Sequence, residues 1–241
     1  MAKATIRTVT RKVQPRTPAV EPCGPVTKVG ARGSCVLLHG WGSVGHDMGR
    51  LCEALWKLPS AARWNFYTAT YETHTKTFVQ AAQDLRPKIR VLTQPLILLG
   101  YSMGSLVGRQ MIMDGLPIKA LVTICGPHEG LGWIPGVDGG TWSMQPDSPE
   151  LTKLNGSPKE RAHRKFYHWF AISCHDLWGE HSDDGVVRVP SALGMSLGPV
   201  AERVKIHLDY DGRPAFVDPH HRGMDDKCLQ PLLDTCSTLL H

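Results

Sequence analysis

Pro95–Leu99 is a run of aliphatic residues that leads without a break into Gly100-Tyr101-Ser102-Met103-Gly104, after which Ser105–Met113 continues at helical period. The pattern predicts a buried strand, a very tight turn and a helix, in that order. A serine on such a turn is lifted out of the sheet, and the flanking glycines leave room for the crowded chain. The helix N-terminus then aims unpaired N–H groups at any negative charge that develops there. An ordinary glycine-rich strand-to-helix loop is the alternative reading of the same residues.

The rest of the chain repeats the strand-and-helix theme. Ser34–Leu38 reads as a second buried strand, ending in the glycine-bearing loop His39-Gly40-Trp41-Gly42. Trp64–Thr70, Lys119–Cys125, Phe166–Ser173 and Val204–Tyr210 read as further strands. Met48–Leu58 carries Leu51, Leu55 and Leu58 at helical spacing, Phe78–Leu92 reads as an amphipathic helix that Pro87 kinks or divides, and Leu229–Leu240 reads as a closing helix. This alternation predicts an α/β fold, a mostly parallel sheet with helices on both faces. From Pro127 to about Lys165 glycines and prolines are dense, with Trp133, Ile134, Trp142 and Met144 between them. Such a stretch reads as a lid or cap, or as a loop that packs those residues onto the core. Residues 1–30 read as an extended arm or poorly ordered leader, and 31–241 as one domain.

Composition excludes several function classes. Hydrophobic residues make up 41% of 241, enough for a real core, and the net charge of +5 is too mild to imply nucleic acid. Much of the excess falls on Lys3, Arg7, Arg11, Lys12 and Arg16, ahead of the first acidic residue, Glu21. A solvated tail is the favoured reading, and a weak contact with an anionic membrane surface is the other. No apolar stretch follows these charges as in a secretory signal, and none approaches the ~20 residues that span a bilayer. Seven cysteines are scattered with no Cys-x-x-Cys pair, so neither a zinc nor a redox site is expected. With no signal peptide, that pattern leads us to expect a reducing cytoplasm. His163, His168, His175 and His181 are spaced 5, 7 and 6 apart, which fits no helical ligand pair, and neither metal nor cofactor is expected. A monomer or a dimer is compatible with all of this.

A serine hydroxyl is a poor nucleophile until a base takes its proton, so Ser102 calls for a histidine and an acid to orient it. In this architecture the acid and then the histidine should follow the serine in the chain. The acid candidates lie in His181-Ser182-Asp183-Asp184-Gly185-Val186-Val187, where Asp184 is favoured over Asp183, with Asp209 and Asp211 as fallbacks. The base candidates lie in Pro219-His220-His221-Arg222-Gly223-Met224, where His221 is favoured over His220. His207 falls inside a strand pattern. The N–H of Met103 should be one oxyanion donor and that of Trp41 the other, with His39 bracing the loop rather than moving protons.

At these residues the chain resembles the lipase-like branch of the α/β-hydrolase superfamily. The matching stretches are Val36–Gly42, Gly100–Val107 and Asp184–Val187, with a fainter match at His221–Met224 and another at Pro146–Asn155. The resemblance covers about residues 33–240. It implies an α/β-hydrolase fold with a lid or cap insertion, a Ser102–Asp184–His221 triad, and Trp41 and Met103 as oxyanion donors. It also implies cleavage of small-molecule or lipid esters through an acyl-enzyme, without a cofactor. The same triad would serve a thioesterase, an acyltransferase or an amidase, and a catalytically dead scaffold acting as a binding protein is the contrasting expectation. Two positions depart from the family pattern: Tyr101 stands where many members have His, and Ser105 where many have Gly.

Overall fold

The structure, a computed structural model, describes residues 15–26, 29–131, 136–176, 179–181, 186–208 and 226–241. The apolar runs form the sheet. Its strands are β1 (Ala19–Pro22), β2 (Gly33–Leu38), β3 (Trp64–Thr70), β4 (Leu96–Tyr101), β5 (Ala120–Ile124), β6 (Tyr167–Asp176), β7 (Gly179–His181) and β8 (Glu202–Leu208). The spatial order is β1-β3-β2-β4-β5-β6, with β7 and β8 both paired to β6. Pairings from β3 through β6 to β8 are parallel, whereas β1 joins β3 and β7 joins β6 antiparallel. Residues 168–170 of β6 pair with both β5 and β8, and Cys174 with both β7 and β8. Since a strand has two edges, β7 extends the edge that β5 occupies and β8 fills the opposite one.

Side-chain alternation along the central strands builds two cores. Val36, Leu38, Leu96 and Leu98 face α2 (Phe78–Arg90) and α3 (Met103–Met113), whose Phe78, Ala82, Leu85 and Leu106 are fully buried. Cys35, Leu37, Ile97 and Leu99 face the other way, onto Leu51 and Leu55 of α1 (Gly49–Trp56) and Leu232 and Leu240 of the last helix, α8 (Asp226–Leu240). A reciprocal cap starts α2: Thr77 Oγ1 accepts from Gln80 N–H, and Gln80 accepts from Thr77 N–H. The helix then runs through Pro87 undivided, with Leu85 and Ile89 buried on either side of it.

The glycine- and proline-dense region is more regular than expected. It contains α4 (Gly139–Ser143), α5 (Pro149–Gly156) and α6 (Pro158–His163), each opened by an Asp or Ser whose side chain caps the first turn. Met144 is buried in the core and Trp142 is exposed, while Trp133 and Ile134 lie outside the described residues. A buried ion cluster ties the region down. Glu160 of α6 accepts from Arg109 Nε of α3 and from Arg164 Nε, both at 2.8 Å, and Arg109 donates to Asn155 of α5. All three charged side chains are buried, so one carboxylate holds two cations away from water. A four-residue helix, α7 (Val189–Ala192), packs against β6. Among the described residues no helix is long and apolar enough to cross a membrane.

The basic N-terminal segment is partly built into the sheet. Ala19–Pro22 adds an edge strand beside β3, and Cys23 forms a disulfide with Cys52 of α1. The sequence pattern gave no sign of this pairing, because the two cysteines are 29 positions apart and in no motif. A cross-link closing a loop of that length is worth about 3 kcal/mol. Replacing both cysteines by serine is therefore expected to lower the unfolding free energy by about 3 kcal/mol, read as a lower urea midpoint with a somewhat steeper slope, because the unlinked denatured chain exposes more surface. The variant should also become insensitive to reductant.

Candidate active site

Ser102 occupies the junction between β4 and α3 with φ 51° and ψ −121°, a backbone conformation in which a non-glycine residue is strained. Three hydrogen bonds hold it there. Ser102 N–H donates to Ile124 O at 2.9 Å, Ser105 N–H donates to Ser102 O at 3.0 Å, and Ser105 Oγ donates to Gly100 O at 3.0 Å. The neighbouring strand ends the same way, in Cys125 with φ 52° and its N–H donating to Phe170 O.

The two motif glycines are required by contact. A Cβ on Gly104 would lie 2.2 Å from Leu38 O and 2.7 Å from His39 O, and one on Gly100 would lie 2.6 Å from Gly104 O. The helix can start against the end of β2 only without those side chains. The loop after β2 in turn presses on Ser102: a Cβ on Gly40 would lie 3.1 Å from Ser102 Cβ. The first turn of α3 and the chain at Gly40 thus meet at one serine, whose residue is 5% exposed.

No family model matches the chain, and no curated protein matches it by sequence. Solved structures match it by shape. Lipase BlEst2 of Bacillus licheniformis, in its mature form, has a TM-score of 0.60 at 15% identity, covering 89% of this chain and 98% of its own. Monoglyceride lipase of Saccharomyces cerevisiae has a TM-score of 0.51 at 14% identity, covering 98% of each chain. YbtT, the type II thioesterase of yersiniabactin biosynthesis, has a TM-score of 0.53 at 13% identity, covering 92% of this chain and 99% of its own. The chain has the α/β-hydrolase fold.

Both departures from the α/β-hydrolase pattern are accommodated. Tyr101 is buried in the core shared with α1 and α8. Ser105 is fully buried, and its side chain fills space left by Gly126, where a Cβ would come 2.6 Å from Ser105 Cβ. The larger residue at 105 is thus matched by the absence of a side chain at 126.

His39 braces the loop, as its position suggested. Its ring stacks on Tyr71 at 4.0 Å, Nδ1–H donates to Gly40 O at 2.7 Å, and Nε2 accepts from Tyr71 N–H at 3.3 Å. Tyr71 OH donates to His39 O. Both ring nitrogens are used in the neutral form. Burial is the main cause that drives the His39 pKa down to about 4, with the nearby Arg16 charge acting the same way.

A polar cluster around Trp41 was not anticipated. Trp41 Nε1 donates to Asp138 Oδ2 at 2.9 Å, His74 Nδ1 lies 2.8 Å from the same oxygen, and Thr141 N–H donates to Asp138 Oδ1 at 2.9 Å. Burial pushes the Asp138 pKa up, but the bonds from Thr141, His74 and Trp41 outweigh it and hold the carboxyl below the usual range. Asp138 is both the cap of α4 and the anchor of Trp41. Its Asp-x-x-Thr spacing marks the cap in sequence, but nothing local in sequence marks its partner 97 positions away.

Of the expected site residues, Ser102 and Met103 are adjacent at the start of α3, and Trp41 follows Gly40, which packs against Ser102. Asp183, Asp184, His220 and His221, with the fallbacks Asp209 and Asp211, lie outside the described residues. His207 is in β8, as expected, and its Nδ1 lies 3.0 Å from Ser173 Oγ.

The buried neutral histidine sets a pH dependence. An unfolded His39 titrates near 6.5 and the folded one near 4, so unfolding takes up a proton between those values. Its contribution to stability is complete above pH 6.5 and is expected to shrink by about 3 kcal/mol by pH 4. His128, whose pKa is also lowered, chiefly by burial, adds to the same slope. Denaturant unfolding at pH 7 and pH 4 checks this, and His39→Gln should flatten the pH slope even though it lowers stability at pH 7.

Proposed function

We propose that this chain is a serine hydrolase that cleaves carboxylic acyl esters through an acyl-enzyme on Ser102. The observation that carries the reading is the strained Ser102 backbone between β4 and α3, with the Gly40–Trp41 loop pressed against it. Strain of that kind persists where it places a side chain for chemistry. Lipases and a thioesterase among the similar folds support acyl transfer at such a serine.

In the proposed mechanism His221 takes the Ser102 proton as Oγ attacks the ester carbonyl. Asp184 holds the imidazole in the right tautomer and stabilises its charged form. Asp183 and His220 are the alternates for these two roles. The N–H groups of Met103 and Trp41 receive the oxyanion, each worth about 3–4 kcal/mol in the transition state. His221 then protonates the leaving alcohol and later activates the water that releases the acid. Position in the chain supports the assignment: 183–184 follow β7, and 220–221 fall between β8 and α8. The exposed Trp41 and Trp142, on the loop and on α4 packed against it, suit an apolar acyl group and a small-molecule or lipid ester. The Cys23–Cys52 bond fits an oxidising compartment and weighs against the cytoplasmic expectation.

Hydrolysis of p-nitrophenyl esters from acetate to palmitate tests the reading. Wild type is expected to hydrolyse at least one of them and to be labelled by a fluorophosphonate at Ser102, with both lost in Ser102→Ala. His221→Ala is expected to lower kcat at least 10³-fold, and His220→Ala by less than tenfold, on the pattern of triad removals. No hydrolysis and no labelling in wild type would favour a dead scaffold that binds without turnover.

A further inference from the structure

The segment ahead of β1 does not stop at the sheet edge. Arg16 lies three residues before Ala19, and its guanidinium reaches the loop on which oxyanion stabilisation depends. Its Nη1 donates to Ser43 O, and its Nη2 donates to Gly42 O at 3.1 Å. Its backbone N–H donates to Glu72 Oε2 at 2.9 Å. Glu72, which is buried, accepts from the N–H groups of His74 and Thr75 through its other oxygen, at 2.7 and 3.1 Å. Residues 42–43 directly follow Gly40–Trp41, and Gly42 N–H itself donates to Thr73 Oγ1 at 3.0 Å. One basic side chain therefore closes two carbonyls at the end of the oxyanion loop. The strand and the Cys23–Cys52 bond fix where that side chain starts.

We propose that Arg16 is a positioning residue for the oxyanion loop, delivered by an N-terminal arm that β1 and the disulfide hold in place. The proposal rests on the serine-hydrolase reading above. Arg16 touches neither Ser102 nor any reacting atom. It acts by holding the carbonyls of Gly42 and Ser43, so that the peptide plane of Trp41 keeps its N–H turned toward the oxyanion. A guanidinium suits this task, since its fork of donors can serve two carbonyls at once and stays charged at every working pH. Loss of it leaves the triad whole and loosens one donor. Catalysis, which depends on donors fixed before the reaction, should suffer more than substrate binding.

The test compares wild type and Arg16→Ala on p-nitrophenyl butyrate, with kcat referred to Ser102 sites titrated by a fluorophosphonate. A butyl boronic acid, whose tetrahedral adduct on Ser102 mimics the oxyanion, is the second probe. The expected result is a fall in kcat of about 10- to 100-fold, KM within about twofold, and boronate affinity reduced by a similar factor to kcat. If Arg16→Ala does not fold, Arg16→Gln takes its place, since its amide keeps one donor; a smaller fall in the same direction is then expected. Wild-type kcat per titrated site, a change confined to KM, or a fall in kcat with unaltered boronate affinity would overturn the proposal and leave the serine-hydrolase reading standing. A wild type that neither hydrolyses esters nor takes the label would overturn that reading, and the proposal with it.

Discussion

The start of α3 lies so close to the end of β2 that no side chain fits between them. A Cβ on Gly104 would lie 2.2 Å from the Leu38 carbonyl oxygen, and that close approach fixes the geometry of the chain around Ser102. It sets the helix directly over the parallel pair β2–β4, whose register runs from Ser34↔Leu96 to Leu38↔Gly100. It brings the loop after β2 onto Ser102. It also forces Ser102 into a left-handed backbone, because the chain must turn from strand to helix within one residue. Burial on both faces of the sheet holds that turn closed, with α2 and α3 on one face and α1 and α8 on the other.

Charge is handled differently in the two places where it enters the interior. Beneath α3, Glu160 pairs with both Arg109 and Arg164, and His128 beside them stays neutral, its ring stacked on Trp169 at 4.3 Å and its Nε2 3.0 Å from Thr123 Oγ1. Protonating His128 would add a further cation among Arg109, Arg164 and Arg203, so burial and those guanidiniums act in the same direction on its pKa. Among the described residues beside Ser102 no buried ion cluster of this kind occurs. His39 meets its loop through two neutral hydrogen bonds and a stacked ring, while Arg16 and the buried Glu72 bond mainly to backbone, and Asp138 joins the Trp41 and His74 side chains to the Thr141 N–H. The first arrangement locks α5 and α6 to the body of the protein. The second shapes a loop.

Much of this was legible in the sequence, because it is written in local patterns. The central strands, the undivided course of the chain from β4 into α3, and the reason for Gly100 and Gly104 all follow from residues adjacent in the chain. The bracing role of His39 could be inferred from the loop it opens. What escaped detection depends on long-range contact. Cys23 and Cys52 carry no spacing motif, and Asp138 meets Trp41 across 97 positions. The helices α4–α6 were masked by glycine and proline, residues that break helices in their interiors but also begin and end them. Pro149 and Pro158 each follow a capping serine at the start of a helix, where a missing N–H costs nothing. Arg16 looked like one more charge on a basic tail, since only the antiparallel pairing of β1 with β3 shows where it points.

The loop Gly40–Ser43 shows why such contacts matter more than their number suggests. A four-residue stretch with two glycines has little conformational preference of its own, and Gly42 adopts φ 75°, open to few other residues. Its shape is imposed from outside, by Thr73 after β3, by Asp138 ahead of α4, by Arg16 ahead of β1 and by Ser102 itself. Each contact is a hydrogen bond or a packing contact of ordinary strength, about 1 kcal/mol for a neutral pair and more where a charge takes part. They come from separate elements anchored in the sheet or against it, so no single local fluctuation releases them together. In the mechanism proposed above, that is how a flexible sequence would present N–H groups already oriented before a charge develops, the condition for electrostatic catalysis without reorganisation at the moment of reaction.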